Sequence, residues 1–370
     1  MTKPCFTFDP ISRLLAAALA GEPDAVQTLA DTPDHRALIV SNRIAPGLAI
    51  RASELGITGP EVETWTTHMR SAAVQRLCLE NARNQLGAIF SEIGIPWIPL
   101  KGVGFDNSIY PRPEERLSTD IDIMIRPEDV EKAVDALVAQ GWRDLIKSEN
   151  QRRFVFDEGY NWKASSPDGV FTELHFRLWG GVSESFASTM FERAEPFTGL
   201  GPGARRLTTA DAYLIAAVHA WQTPSPRYLA LWWDLQRLAH TMDHESERET
   251  TARATEYGLQ LFVALSSAVA YEYWNHPAVK RIADANQGMF GLSERIASRV
   301  LRASSPGAAS LGVITLGRLA AGRPSRTGWR AIPRQLWPHP GVVELKTPES
   351  WSWPRRRLTL IARKLQLMRD

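Results

Sequence analysis

Asp120-Ile121-Asp122 sits inside the apolar stretch Leu117–Ile125, and this short run constrains the fold more than any other segment. In a strand, residues two apart point to the same side. Asp120 and Asp122 therefore share one face, and Ile121, Ile123 and Ile125 take the other. The sheet that holds this strand needs one apolar face and one face that tolerates paired carboxylates. Two like charges so close raise one another's pKa unless a cation lies between them. A hard divalent ion with oxygen ligands answers that need. Mg²⁺ is the first expectation and Mn²⁺ the second.

The surroundings of this strand indicate an α+β protein. Pro60–Ile93 has apolar residues at helical spacing (Val74, Leu77, Cys78, Leu86, Ile89, Phe90, Ile93), and Gly94 follows as a cap. Ile95–Leu100 then reads as a short strand, with Lys101-Gly102 as its turn. Val103–Tyr110 offers one or two helical turns, and Pro111–Thr119 is a loop. Pro127–Gln140 is an amphipathic helix that opens on Pro127, Glu128 and Asp129 and stops at Gly141. Trp142–Ile146, Phe154–Phe156, Asn161–Ala164 and Val170–Leu178 read as strands. From Thr208 the chain is helical again, through Thr209–Trp221 and Tyr228–His240 to about residue 322. Arg323–Ser352 is an irregular Pro- and Trp-rich connection, and Trp353–Asp370 is a basic amphipathic end. These shifts divide the chain into 1–93, 94–204, 205–322 and 323–370.

Composition excludes several classes. With 370 residues, 44% of them hydrophobic and a net charge of +2, the chain has ample core and no global field for nucleic acid. Cys5 and Cys78 have no partner motif, and Asp9-Pro10 breaks any early apolar stretch, so a cytoplasmic protein without a leader is expected. Leu259–Trp274 is too short and too polar to span a bilayer.

A metal-binding aspartate pair needs a third acidic group. Phe171–Phe176 alternates apolar and polar residues, which puts Glu173 and His175 on one face. Beside Asp120–Ile125, Glu173 would complete a trio of carboxylates, as a metal ligand or as a general base. Such a trio suits transfer of a phosphoryl-type group, where positioning and charge neutralisation carry most of the chemistry. His175 is a base or a structural histidine. Lys101 brings a point charge to a turn where Gly102 lets backbone approach a phosphate. Arg116, four residues before Asp120, either clamps a phosphate or neutralises the aspartates. His219, between Val218 and Ala220, reads as a helix-packing residue, with a substrate role as the alternative. Asp234, after Trp232-Trp233, caps or pairs locally.

The set Leu100-Lys101-Gly102, Tyr110-Pro111, Arg116, Asp120-Ile121-Asp122-Ile123, Gly141-Trp142 and Glu173-Leu174-His175-Phe176 resembles the Leu-Lys-Gly branch of bacterial nucleotidyltransferases, within the DNA polymerase β-like superfamily. The resemblance spans roughly residues 60–240. It implies a small mixed β-sheet nucleotidyltransferase core flanked by N-terminal and C-terminal helical regions. It also implies metal ligands at Asp120, Asp122 and Glu173, and a nucleotide-side turn at Lys101 and Gly102. The activity implied is transfer of an NMP from an NTP, first of all ATP, to a hydroxyl-type acceptor with release of pyrophosphate. The acceptor is a peptide natural product, a small molecule or a sugar, and biosynthetic partner proteins are in keeping with that. This chain departs from the wider superfamily in having Lys-Gly at the first turn, and from the branch in having Phe176 where Trp is common. Two rivals remain: a toxin-like transferase acting on transfer RNA, which would use the basic C-terminal end, and a non-catalytic nucleotide-binding scaffold. Three mutually repelling carboxylates argue against the scaffold.

Overall fold

The computed structural model describes residues 9–105, 109–178, 184–201, 203–222, 229–286, 352–355 and 358–360. The expected helices between 287 and 322 lie outside them. So do the irregular stretch up to residue 351 and, apart from the two short pieces above, the basic C-terminal end.

Five strands form a mixed sheet: β1 (Ile98–Pro99), β2 (Ile121–Met124), β3 (Arg143–Asp144), β4 (Asn161–Ser165) and β5 (Phe171–His175), in the order β1-β2-β5-β4-β3. β2 and β5 run parallel, and every other pairing in this sheet is antiparallel. A short hairpin of β6 (Glu195–Pro196) and β7 (Arg205–Arg206) attaches beside β1 through a bridge from Trp97 to Ala204.

The sheet separates two hydrophobic cores. Ile121, Ile123 and Ile125 point to one side, with Trp162, Ala164 and Leu174 from the neighbouring strands. There they meet α6 (Val130–Ala139) through Val130, Ala133, Val134 and Leu137, and the second half of α5 (Pro60–Glu92) through Leu79, Ala82, Leu86 and Phe90. Met124 points the other way, into a larger helical core. That core joins α1 (Pro10–Ala20), α2 (Pro23–Ala30), α3 (Arg36–Ser41) and α4 (Ala45–Leu55) to helices from the far end of the described chain. These are α8 (Glu184–Arg193), α9 (Thr209–Gln222), α10 (Leu229–Thr241), α11 (His244–Tyr257), α12 (Gln260–Trp274) and α13 (Pro277–Ala285). The two helical regions on either side of the sheet segment thus share one core. α5 reaches both, because Val62 and Trp65 near its start belong to the helical core.

Two expectations are corrected. Phe154–Phe156 is not a strand but part of α7 (Glu149–Glu158). The Ser148 hydroxyl accepts from Gln151 N–H, and the Gln151 side chain reaches back to accept from Lys147 N–H. That capping arrangement outweighs the strand preference of Phe-Val-Phe. In α5, Val74 and Leu77 keep the expected spacing but are 63% and 65% exposed, and Cys78 is exposed as well. The buried stripe keeps the expected Leu86 and Phe90 and otherwise runs through Trp65, Ala72, Leu79 and Ala82. Ile95–Leu100 pairs as a strand only at Ile98–Pro99. Among the described residues no helix is long and apolar enough to cross a membrane.

Candidate metal and nucleotide site

The parallel register of β2 on β5 sets Asp122 opposite Glu173 and Met124 opposite His175. On the far side of β5, Lys163 of β4 faces Glu173, and Asn161 faces His175. Alternation places Asp122, Glu173, His175, Lys163 and Asn161 on the sheet face turned toward the helical core. Asp120 occupies the bend just before β2, half-buried, where its hydroxyl neighbour Thr119 donates to it at 3.3 Å.

Each of the two strand carboxylates is divided between two partners. Asp122 Oδ2 lies 3.2 Å from Lys101 Nζ, and Asp122 Oδ1 lies 2.9 Å from His175 Nε2. Glu173 Oε1 lies 2.9 Å from Lys163 Nζ, and its Oε2 lies 3.5 Å from the same His175 nitrogen. One atom each from Asp122, Glu173 and His175 thus converge, all within 4.8 Å of one another. The Tyr160 ring stacks on the imidazole at 5.8 Å between centroids.

The protonation pattern follows from these neighbours. Burial and the adjacent Asp122 hold the Asp120 carboxyl above its ordinary value, against the pull of Lys101. Burial opposes ionisation of Glu173, but the bonds and charges of His175 and Lys163 hold it well below the usual carboxylate range. Burial also opposes the charged form of His175, and its bonds to Asp122 and Glu173 raise it nonetheless. Burial, with Glu173 and Asp122 nearby, pushes the Tyr160 hydroxyl up to about 12.

Lys101 is held by the turn after β1. Gly102 has φ +55°, and a Cβ there would lie 3.0 Å from Ser118 Oγ. Gly104 has no room for a side chain, since a Cβ would meet Pro99 O at 2.6 Å. Two glycines therefore fold this segment back tightly and deliver Lys101 to Asp122. Its amine also lies 3.5 Å from Nε2 of His219, which projects from α9. Burial and the charges of Lys101 and Arg116 keep His219 well below its ordinary pKa, so it is neutral and can accept from the lysine. His219 is half-buried, between the core residues Val218 and Ala220, and it also touches the site.

Arg116 is engaged with a partner that the sequence did not suggest. Its fork closes on Asp234 of α10, Nε to Oδ1 at 2.7 Å and Nη2 to Oδ2 at 2.8 Å. Tyr110 Oη donates to the same Oδ1 at 2.6 Å. Next to this pair, Glu115 Oε1 accepts from Arg51 and from the Trp233 indole, both at 2.9 Å. The loop leading to Asp120 is thus pinned to α4 and α10, and Arg116 Nη1 lies 3.3 Å from Ser118 Oγ beside the Gly102 turn. Asp234 pairs not locally but across 118 positions.

The residues fit a divalent cation. Adjacent ligands of an octahedral ion with bonds of about 2.1 Å are roughly 3 Å apart. The 2.9 Å and 3.5 Å separations from His175 Nε2 are of that order. Lys163, Tyr160 and Asn161 were not singled out from the sequence. The alternation of Asn161–Ala164 identified their strand, but not which strand it joins.

A mixed sheet that brings Asp122 of β2 beside Glu173 and His175 of β5 offers a possible metal site and does not single out one reaction. The family comparison narrows it. Residues 30–275 match the model of a family described as uncharacterised nucleotidyltransferase. The match covers more than half of the chain, and the chain belongs to this nucleotidyltransferase family. No curated protein matches it.

Proposed function

We propose that this protein is a divalent-metal-dependent, two-metal nucleotidyltransferase with a polymerase β-like core, of the Leu-Lys-Gly branch. It would move an NMP from an NTP, first of all ATP, to a hydroxyl-type acceptor and release pyrophosphate. The observation that carries this reading is the parallel β2–β5 register, which faces Asp122 with Glu173 while Lys101 reaches the same carboxylate.

Asp120, Asp122 and Glu173 are the proposed holders of the metal, and Glu173 is alternatively the general base for the acceptor hydroxyl. When bound, divalent metal supplies charge neutralisation for the triphosphate and lowers the cost of forming the attacking oxygen. Lys101 and the Gly102 turn face the triphosphate. Neutral His219 accepts from Lys101 and keeps its amine aimed at the site. Arg116 acts from behind, by anchoring the loop on Asp234 and adding positive potential. The raised Asp120 carboxyl is the group with most to gain from a cation.

The helical core on this face of the sheet shapes the acceptor pocket, for which a peptide, a small molecule or a sugar remain the candidate classes. The transfer RNA rival rests on the basic C-terminal end, most of which lies outside the described residues. The test is calorimetric titration of each NTP with and without Mg²⁺, on the native chain and on Asp120→Ala/Asp122→Ala. Metal-dependent binding that the double variant loses is expected. Equal binding by both proteins, or none by either, would overturn the reading.

A further inference from the structure

We infer that His175 is itself a metal ligand. Asp122 Oδ1, Glu173 Oε2 and His175 Nε2 then form a mixed oxygen and nitrogen site that takes a first-row transition dication such as Mn²⁺ in preference to Mg²⁺. The inference relies on the nucleotidyltransferase reading for what the ion serves, but not for where the ion sits.

The oxygens of the two carboxylates divide their partners. The outer oxygen of each carboxylate is already held by a lysine, Lys101 on Asp122 Oδ2 and Lys163 on Glu173 Oε1. Both carboxylates are thereby oriented without the histidine. The other oxygen of each carboxylate faces His175 Nε2, which stands 2.9 Å from Asp122 Oδ1 and 3.5 Å from Glu173 Oε2. Three donor atoms of two chemical types thus meet at the spacing of neighbouring ligands on one ion. The imidazole is fully buried and its plane is fixed by the stacked Tyr160, so the nitrogen is preorganised.

A second, independent observation points to a ligand at the same place. Asn161, the register partner of His175, is 93% buried on the same face, and its Nδ2 has no hydrogen-bond partner among the described residues. A buried amide donor without an acceptor costs stability unless something accepts from it. An anionic oxygen carried in with the ion, such as a phosphate oxygen, would satisfy it.

The donor set then selects the ion. Mg²⁺ prefers oxygen in near-ideal octahedral geometry and gives up water reluctantly. Imidazole favours transition ions, while carboxylates suit Mg²⁺ and Mn²⁺ alike, so Mn²⁺ accepts every donor present.

The test uses the full chain stripped of metal, titrated with Mn²⁺ alone while the electron-spin-resonance signal of the free ion is followed, with Mg²⁺ as competitor. The native chain is expected to bind Mn²⁺ at least about ten-fold more tightly than Mg²⁺. His175→Gln is expected to weaken Mn²⁺ binding by about ten-fold or more and to leave Mg²⁺ within about two-fold. Should that variant fail to fold, the native Mn²⁺ complex is decisive alone, because a directly bound imidazole gives nitrogen hyperfine coupling in pulsed measurements. Mn²⁺ bound without nitrogen coupling, parity of the two ions, or no Mn²⁺ binding at millimolar concentration would each overturn the inference. Nitrogen-coupled Mn²⁺ in a chain that takes no NTP would sustain it and sink the nucleotide reading instead.

Discussion

Asp234 is the residue whose role reaches furthest in sequence. It is buried, it takes both arms of Arg116, and it accepts from Tyr110. Removing one partner from such a group leaves the others stranded. Asp234→Ala should therefore cost about 3–5 kcal/mol, because it strands a buried guanidinium. Tyr110→Phe deletes one hydrogen bond to a charged acceptor and should cost about 1–3 kcal/mol. Urea denaturation of the two variants checks both values, and a Tyr110→Phe cost equal to that of Asp234→Ala would contradict this ordering. Little of this network was legible in the sequence. Arg116 and Asp234 were each noticed, but their pairing depends on tertiary packing that no local pattern encodes. That Glu173 and His175 share a face was legible because strand alternation fixes it, whereas Asp120 stands in the bend before β2 and outside the converging trio. Asn161, Lys163 and Tyr160 were not legible, because alternation is silent on which strands are neighbours.

Among the elements, the outcome depended on whether the deciding signal was local. α6 was readable from its acidic start and its glycine stop. α7 was misread because Phe154-Val155-Phe156 drew attention from Ser148 and Gln151, whose side chains set the helix start. Ser148→Ala should cost about 1 kcal/mol, read as a shift in thermal midpoint, and no shift would mean that the cap contributes nothing. The β1 turn makes a sharper case. At Gly104 even one methyl group would collide with Pro99 O, which is backbone and cannot rotate away. Gly104→Ala should displace Lys101, so that nucleotide affinity falls even where circular dichroism reports an intact fold. Unchanged affinity would show that the turn does not set the lysine.

At the scale of the whole molecule, ion pairs between helices contribute stability that is lost toward low pH. Glu247 of α11 accepts both arms of Arg281 of α13, at 2.6 and 2.7 Å. The hydrogen bonds from Arg281 hold the Glu247 carboxyl below its ordinary value. A depressed folded-state pKa stabilises above the unfolded value of about 4.3 and loses that contribution as pH falls through the folded value. Arg281 is half exposed, so solvent screening keeps the effect small. The gap in urea midpoint between the native chain and Arg281→Met should close on going from about pH 7 to about pH 3. A constant gap would assign the stabilisation to packing. α5 works on a larger scale. Its 33 residues run unbroken for about 50 Å, with side chains planted in the helical core at one end and behind the sheet at the other. The face of the sheet that carries Asp122 and Glu173 is turned toward the helical core that this helix ties to it. α5 is in effect the spine of a pair of tongs, and any gape around a bulky acceptor has to come from flexing that rod rather than from two parts drifting on a tether.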